Sequence, residues 1–209
     1  MIENKDRKYW FGASDTKYVM NENHSTATWQ GFWAEKCGVA VKDSETIYTA
    51  TGTAFEHPIL DAVDKDINKD RQIILEEKRI RVNYDGDKDG IIFEVKTHKA
   101  ENDFMTKNAT YQFLPKHIYG QVQVQMYVWK EAFERGMVLE KFDKLYVLEY
   151  PLYEADFVEE TDIDFKRIKF HKVKYDKCFI KEYKKKLEPL TEELLQVIRD
   201  GEKTEEHIF

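Results

Sequence analysis

Glu94 and Lys96, two charged residues that end an otherwise apolar run, are the residues of this sequence best suited to chemistry. The run Ile91–Thr97 predicts a buried central strand, along which side chains alternate between the two faces of a sheet. Glu94 and Lys96 are therefore predicted on one face, with Val95 on the other. Charged groups at the end of a buried sheet are costly unless they are paired or bound to a metal ion.

An acid and a glycine, Asp85 and Gly86, begin a predicted turn, Asp85–Gly90, that precedes this strand and brings Asp85 close to Glu94. Two carboxylates at one end of a sheet suit a hard divalent cation such as Mg²⁺, which takes oxygen ligands, with Lys96 beside it. The same arrangement suits hydrolysis of a phosphodiester, in which water is activated and charge on phosphorus is stabilised. The structural alternative is an ordinary ion pair at the end of a strand.

The chain has 209 residues, of which 42% are hydrophobic, and this predicts one α/β domain over residues 1–209. Its two cysteines, Cys37 and Cys178, make neither a cysteine-based metal cluster nor a disulfide framework, which indicates a reducing, cytoplasmic setting. No apolar stretch approaches membrane-spanning length, and no signal peptide is expected.

The net charge of −7 argues against loose binding to nucleic acid. The charge is segregated, however, with an acidic stretch at 154–164 and a lysine-rich stretch at 166–186. Acids around a metal site would add negative charge to the total, while a DNA channel elsewhere on the surface stays locally basic. The lysine-rich stretch is interpreted equally well as part of such a channel or as a solvated helix face.

Hydrophobic periodicity predicts a mixed α/β fold with a small central sheet. Helices are predicted at Thr28–Val39, Thr53–Ile67, Lys116–Arg135 and Lys177–Arg199, and strands at Ile73–Tyr84, Ile91–Thr97, Lys144–Tyr153 and Lys169–Val173. Pro58 is expected in the first turn of its helix, and Pro189 is expected to break or restart the last one. The polar segment 100–115 is predicted to be a functional loop.

Four motifs, in order along the chain, resemble those of the phage lambda-type exonuclease (viral recombinase) family within the PD-(D/E)XK nuclease superfamily. They are Gly12–Asp15 with Arg7 seven residues before Ser14, Gly52–Glu56, Asp85–Gly86 with Glu94–Thr97, and the glutamine-rich Tyr119–Met126. An acid followed by Glu-x-Lys is weakly specific by itself. Four ordered motifs between Arg7 and about Trp129 are together a strong signal.

The resemblance implies a restriction-endonuclease-like core, with a small mixed β-sheet flanked by helices. It also implies an exonuclease that uses Mg²⁺, or Mn²⁺ in its place, to degrade one strand of duplex DNA from the 5′ end. The remaining 3′ single strand would serve recombination by annealing. The expected partners are double-stranded DNA ends, a single-strand annealing protein and further copies of the chain, up to a ring-shaped trimer. The expected location is the cytoplasm of a bacterial host cell.

By the same resemblance, Asp85 and Glu94 bind the metal together with the main-chain carbonyl of Val95, and Glu56 is a further ligand. Lys96 orients or deprotonates the attacking water, or neutralises a phosphoryl oxygen. To act as a base, Lys96 needs a lowered pKa, which burial would provide. The alternative for Glu56 is an ordinary glutamate on a helix.

Gln121 matches the family position of a glutamine that contacts the water, the lysine or the DNA. Gln121 and Gln125 are four residues apart and share one helix face, whereas Gln123 lies roughly opposite. The alternative for Gln121 is a solvated helix glutamine.

Arg7 and Ser14 are expected to bind the 5′-phosphate of DNA, because a hydroxyl at a helix start and a guanidinium both suit an anion. The alternative for Ser14 is a plain N-cap. The family uses a second arginine downstream, but this chain has none between Arg7 and Arg71. The lysines considered in its place are Lys17, Lys36 and Lys42.

Other functions stay open at this point. One is a nuclease with the same site that cuts single strands, flaps or internal positions. Another is a DNA- or protein-binding module with a decayed site, although the complete set of Asp85, Glu94 and Lys96 argues against it. His98 is expected to be a loop histidine without a role, and Trp29 and Trp33 are expected in the core.

Overall fold

The computed structural model describes residues 7–40, 47–101, 109–111, 114–157 and 162–206, with 47–51, 109–111 and 202–206 as backbone alone. Over these residues the helices are α1 (Thr16–Val19), α2 (Ala27–Lys36), α3 (Ile47–Val63), α4 (Lys116–Glu134) and α5 (Lys177–Glu206). The strands are β1 (Asn68–Leu75), β2 (Ile80–Lys88), β3 (Ile91–Lys99), β4 (Ala109–Tyr111), β5 (Leu114–Pro115), β6 (Lys144–Leu152) and β7 (Lys169–Val173). Most of the predicted loop at 100–115 lies outside the described residues.

A five-stranded mixed sheet runs through the described part of the chain in the order β1-β2-β3-β6-β7. β3 is the central strand, antiparallel to β2 and parallel to β6, and the two outer pairs are antiparallel. This position explains the apolar start of β3, because a central strand is covered on both faces. The predicted mixed α/β fold is confirmed.

α4 covers one face of the sheet with the apolar stripe that the sequence predicts. Ile118, Val122, Met126 and Trp129 recur at helical spacing and are each no more than 1% exposed. Phe133, the next member of the stripe, is 36% exposed because the helix ends one residue later. The stripe packs on residues of β1, β2, β3 and β6 in one core.

α3 covers the opposite face, where a second core forms around Ile59 and Leu60, both fully buried. Phe93 and Val95 of β3 point into this core. The sheet is therefore sandwiched between helices at the point where β3 carries its charged residues. None of the helices in the described ranges combines the length and apolarity needed to cross a membrane.

The segment before β3 differs in part from the prediction of one strand, Ile73–Tyr84, and a turn at Asp85–Gly90, because only the end of that turn is observed. It forms two antiparallel strands, β1 and β2, and Asp85 lies within β2, whose turn into β3 is at Asp89 and Gly90. Gly86 is not a turn residue here. A Cβ at Gly86 would lie 2.7 Å from a methyl group of Ile67, so this glycine permits the close approach of the α3 side of the core.

Two prolines lie inside helices, contrary to prediction. α3 begins at Ile47, so Pro58 lies well past its first turn, and α5 continues through Pro189 without a break. A proline inside a helix costs about 3 kcal/mol. Leu187 and Leu190, which are buried on either side of Pro189, offset this cost. Their burial stabilises both halves of α5 as one continuous helix.

Candidate active site

Glu94 and Lys96 form an ion pair on the face of β3 that α4 covers. Glu94 is 1% exposed, and its Oε1 accepts a hydrogen bond from Lys96 Nζ at 2.5 Å. Val95 points the other way, into the core against α3. The predicted alternation is thus observed, and because the carboxylate of Glu94 is buried, the pair is not an ordinary surface ion pair.

Two glutamines of α4 hold both oxygens of Glu94. Gln121 Nε2 donates to Oε1 and Gln125 Nε2 donates to Oε2, each at 2.5 Å. Their spacing of four residues places both amides on one helix face. Gln123 faces away, and its Nε2 donates to the carbonyl oxygen of Lys174 at 2.8 Å. Sequence reasoning favoured Gln121 alone, although the spacing already indicated that Gln125 shares its environment.

Gln125→Leu is expected to lower the free energy of unfolding by about 2 kcal/mol, because it removes a hydrogen bond to a buried carboxylate. Urea unfolding measures this change. Gln196→Leu alters an exposed glutamine of α5 and serves as the control, with an expected change within about 0.5 kcal/mol. A Gln125→Leu protein as stable as wild type would contradict the anchoring of Glu94 by α4.

Asp85 lies where β2 and β3 part. Backbone pairing between these strands extends to Gly86 opposite Phe93. Beyond it, Asp85 Oδ2 accepts a hydrogen bond from the backbone N–H of Val95 at 2.7 Å, so a carboxylate takes the place of a ladder carbonyl. Burial and the negative charge of Glu94 raise the pKa of Asp85 well above its ordinary value.

Glu56 reaches the same region from α3. The helix approaches β3 closely because Gly52 has no side chain: a Cβ there would lie 3.0 Å from Thr97 Oγ1. Glu56 is half-buried, and burial, together with the charge of Glu94, raises its pKa to about 7. The charge of Glu94 thus raises the pKa of both Glu56 and Asp85, and such perturbed groups are common at functional sites.

Lys96 retains its proton in this arrangement. Burial acts to lower the pKa of Lys96, but the negative charges of Glu94 and Asp85 outweigh burial and raise it above its ordinary value. A role as base would need a lowered pKa, and the acids that surround the ammonium group act against it. Lys96 is suited to neutralise negative charge rather than to act as a base.

A cavity of about 770 Å³ opens beside the acids. It brings together side chains from all four of the sequence motifs and from both sides of the sheet. The predicted site residues that line it are Arg7, Ser14, Glu56, Asp85 and Gln121. Glu94 lies directly behind the last of these, to which it is hydrogen bonded.

The model of one protein family, the YqaJ-like viral recombinase domain, matches residues 4–132, a range that contains every predicted site residue. The chain belongs to this family. The family predicted from the sequence is thereby confirmed, and with it the prediction of an enzyme, an exonuclease that acts on DNA.

Two solved structures share the fold of this YqaJ-like recombinase chain. An alkaline exonuclease from Laribacter hongkongensis is 16% identical, with a TM-score of 0.65 over 98% of this chain and 97% of that one. A phage related exonuclease from Haemophilus somnus 129PT is 14% identical, with a TM-score of 0.58 over 94% of this chain and 98% of that one. These likenesses confirm the predicted restriction-endonuclease-like core. No curated protein matches the sequence.

The cavity of the YqaJ-like chain also contains a second arginine, which sequence reasoning missed. Arg81 of β2 lines it together with Arg7, and the Arg81 guanidinium lies 5.7 Å from the ring of Trp10, another lining residue. Arg81, Asn83 and Asp85 alternate along β2 and therefore share one strand face. That alternation is a signal in the sequence, although Arg81 lies beyond the interval from Arg7 to Arg71 in which the second arginine was expected.

Lys36, one of the lysines considered in place of that arginine, has a structural contact instead. It lines the cavity but is 2% exposed, and its Nζ lies 2.6 Å from Asp15 Oδ2. Asp15 also accepts a hydrogen bond from the backbone N–H three residues before it, at 2.8 Å. The pair thus fixes the turn that carries exposed Ser14. Lys17 is not among the lining residues, and Lys42 lies outside the described residues.

The donor atoms of the acids fit a hard divalent cation, although their present arrangement does not enclose one. Within the described residues, no group of three or more His, Cys, Asp or Glu side chains is arranged to hold a metal ion. Glu56 and Asp85 line the cavity, whereas both oxygens of Glu94 accept hydrogen bonds from ammonium and amide groups. Oε1 of Glu94 accepts two of these hydrogen bonds and Oε2 accepts one, so Oε2 keeps a lone pair that could bind a cation. Carboxylate oxygens are the ligands that Mg²⁺ takes.

A second charged cluster surrounds Glu149 of β6, whose carboxylate is buried. Oε1 lies 2.9 Å from His98 Nε2 and 3.3 Å from Lys169 Nζ, and Oε2 lies 2.7 Å from His171 Nε2. Burial acts to raise the pKa of Glu149, but the hydrogen bonds from the two histidines and the charge of Lys169 hold it far below its ordinary value. The same contact raises the pKa of His98, which lies in β3 and not in the predicted loop.

Glu149→Gln is expected to lower the free energy of unfolding by about 2–3 kcal/mol, because Glu149 accepts charged hydrogen bonds. The pKa of Glu149 is lower in the folded protein, so its contribution is full above about pH 4.3 and is lost as the pH falls. The pKa of His98 is higher in the folded protein, so its contribution is full below about pH 6.5 and is lost as the pH rises. The difference in the free energy of unfolding between wild type and Glu149→Gln should therefore be largest between about pH 4.3 and about pH 6.5.

Urea unfolding at a series of pH values tests this window. Glu188→Gln, which changes an exposed glutamate of α5, is the control and should differ from wild type by the same small amount at every pH. A Glu149→Gln protein whose loss of stability does not vary with pH would contradict the charged state assigned to the cluster.

Proposed function

We propose that the chain is a divalent-metal-dependent exonuclease that degrades one strand of duplex DNA from its 5′ end. The product is a 3′ single strand, which serves recombination by annealing. The observation that carries this proposal is that one cavity is lined both by Glu56, Asp85 and Gln121 and by Arg7 and Ser14. Acids that suit a metal ion and groups that suit a phosphate therefore border the same space. Family membership and fold supply the nuclease class.

In this proposal Asp85, Glu94 and Glu56 hold Mg²⁺, or Mn²⁺ in its place, with the main-chain carbonyl of Val95 as a further ligand. The bound ion would supply Lewis-acid activation of water and of the phosphoryl group. Asp85 is held in position for this role, because its Oδ2 accepts a hydrogen bond from the backbone of β3. Two carboxylates and a carbonyl are sufficient, since Mg²⁺ usually keeps several waters.

Lys96 neutralises charge that develops on the phosphoryl oxygens. Its raised pKa keeps it cationic at neutral pH, and its hydrogen bond to Glu94 fixes its position. Gln121 lines the cavity and contacts Glu94, so its amide can orient both the carboxylate and a water molecule.

The strand end would be held by Arg7 and Ser14, with Arg81 as the second arginine. A terminal phosphate monoester carries more charge than an internal diester, so two guanidinium groups favour it over a 5′-hydroxyl. Trp10 forms part of the cavity wall and offers a surface against which a terminal base could stack.

Two further proposals rest on the family resemblance. The active form is a homo-oligomer, for which a ring-shaped trimer is the expected state, and a single-strand annealing protein binds the product strand. Light scattering during size-exclusion chromatography measures the first. A monomer under conditions in which the enzyme is active would contradict it.

Linear duplex and closed circular duplex, each incubated with the protein and Mg²⁺, test the proposed function. Linear DNA labelled at one 5′ end should release its label as short products early, whereas a 3′ label should be retained, and the closed circle should stay intact. Loss of the circle at the same rate as the linear form would reject the exonuclease and support an endonuclease. No metal-dependent loss of either DNA would support a binding module.

A further inference from the structure

The cluster around Glu149 lies on the same sheet face as Lys96 and directly beside it. Strand pairing places Lys96 opposite Glu149, and Glu149 opposite Lys169, so the three residues form a row across β3, β6 and β7. Paired residues of neighbouring strands point to the same face. Adjacent strands are about 4.8 Å apart, so the row extends about 10 Å from Lys96 to the edge strand.

The hydrogen-bond geometry requires a positive charge on His98. Its Nδ1 lies 2.9 Å from the carbonyl oxygen of Lys99, and its Nε2 lies 2.9 Å from Glu149 Oε1. Both partners accept hydrogen bonds, and a neutral imidazole has only one N–H to donate. With Glu149 ionised, both ring nitrogens must carry a proton, and the raised pKa of His98 agrees with this assignment.

The cluster therefore has more positive than negative charge. Glu149 contributes one negative charge, whereas His98 and Lys169 contribute one positive charge each, and His171 adds a further hydrogen-bond donor. Lys169 is 60% exposed at its side chain and His171 is 26% exposed. A cluster that served only to join three strands would not need exposed cations. This local excess also contrasts with the net charge of −7 of the chain.

The position of the cluster relative to the candidate active site indicates what it binds. Asp85 lies on β2, on one side of β3, whereas Glu149, Lys169 and His171 lie on β6 and β7, on the other side. A DNA strand that crosses the sheet through the catalytic residues passes Asp85, then Glu94 and Lys96, and then reaches Lys169. The cavity with Arg7 lies on the β2 side. If that cavity holds the strand end, as proposed above, the β7 side faces the part of the strand that remains in the duplex.

We propose that Lys169 and His171, held in place by buried Glu149 with His98 as its third partner, bind the phosphodiester backbone of DNA next to the scissile phosphate, on the side away from the strand end. This inference rests on the proposed function. Glu149 is a positioning residue in it, since its two oxygens fix the side chains that contact the phosphates.

The test is the salt dependence of binding to a short blunt-ended duplex in the presence of a chelator, so that no cleavage occurs. Lys169→Ala should reduce the magnitude of the slope of log K against log salt concentration by about 0.9, the contribution of one phosphate contact on duplex DNA. Lys169→Glu should reduce it further. Lys172→Ala is the matched control, because Lys172 is an exposed lysine of the same strand on the opposite face, and its slope should equal that of wild type.

A Lys169→Ala protein with the wild-type slope, or an equal loss of slope in Lys172→Ala, would overturn the inference. Release of nucleotides from linear duplex by wild type in Mg²⁺ is measured in parallel. If wild type degrades the duplex while Lys169→Ala keeps the full slope, the inference fails and the proposed function stands. If wild type degrades no DNA, the proposed function fails, and the inference fails with it.

Discussion

Asp85→Asn is expected to abolish nuclease activity while it makes the protein more stable. Activity should fall by about 10³-fold or more, because an amide replaces a carboxylate that the proposed metal site requires. The free energy of unfolding in chelator should rise at neutral pH. The folded pKa of Asp85 lies above its unfolded value, so its negative charge destabilises the folded protein once the pH exceeds the unfolded value. Asparagine retains an oxygen that can accept the hydrogen bond from Val95.

Nucleotide release from linear duplex and urea unfolding in chelator measure the two effects. Asp89→Asn is the matched control, since Asp89 is an exposed acid in the turn that follows the same strand. It removes an equal charge and should leave the activity unchanged. Activity that survives Asp85→Asn would reject the site assignment. A loss of stability near pH 7 would contradict the crowding of negative charge around Asp85.

Lys96→Met is expected to reduce both activity and stability. Activity should fall by about 10²–10⁴-fold, because the cation that neutralises phosphoryl charge is removed. Stability should fall by about 3 kcal/mol, because the buried carboxylate of Glu94 loses its counter-charge and keeps only the amide donors of Gln121 and Gln125. The sign of the stability change is thus opposite to that of Asp85→Asn.

The same assays apply to Lys96→Met, with unfolding followed in chelator. Lys88→Met is the control, since Lys88 forms a surface ion pair with Asp64 at 2.7 Å and such pairs contribute little. A Lys96→Met protein that unfolds at the wild-type urea concentration would show that Glu94 does not depend on Lys96. Full activity in that protein would show that the lysine has no role in hydrolysis.

The sequence was sufficient to predict the parts of the fold that depend on local periodicity. The alternation of side chains along β3 predicted that Glu94 and Lys96 share one face of the sheet. The apolar stripe on α4 predicted which side of that helix is buried. The prediction was wrong for Asp85 and Gly86, which were interpreted as a turn because both residue types favour turns. Gly86 instead lacks a side chain because Ile67, from another segment of the chain, packs against its backbone. Such a requirement is not visible in the local sequence.

The candidate site was predicted less completely than the fold, because several of its contacts join distant segments. Arg81 becomes a neighbour of Arg7 only through the cavity. Glu149 could have been recognised, since it is an acid inside the apolar strand β6, as Glu94 is within β3. A buried acid needs a partner, and for Glu149 one such partner is His98, which was predicted to be a residue without a role.

The most direct test of the central claim is an anomalous difference map from crystals of the protein grown with Mn²⁺ and a short blunt-ended duplex. The predicted result is a Mn²⁺ peak bound by Asp85 and Glu94, adjacent to a phosphate of the duplex and within reach of Lys96. A peak bound elsewhere, or no peak in crystals of a preparation that degrades DNA in Mn²⁺, would contradict the assignment of these acids as the metal site.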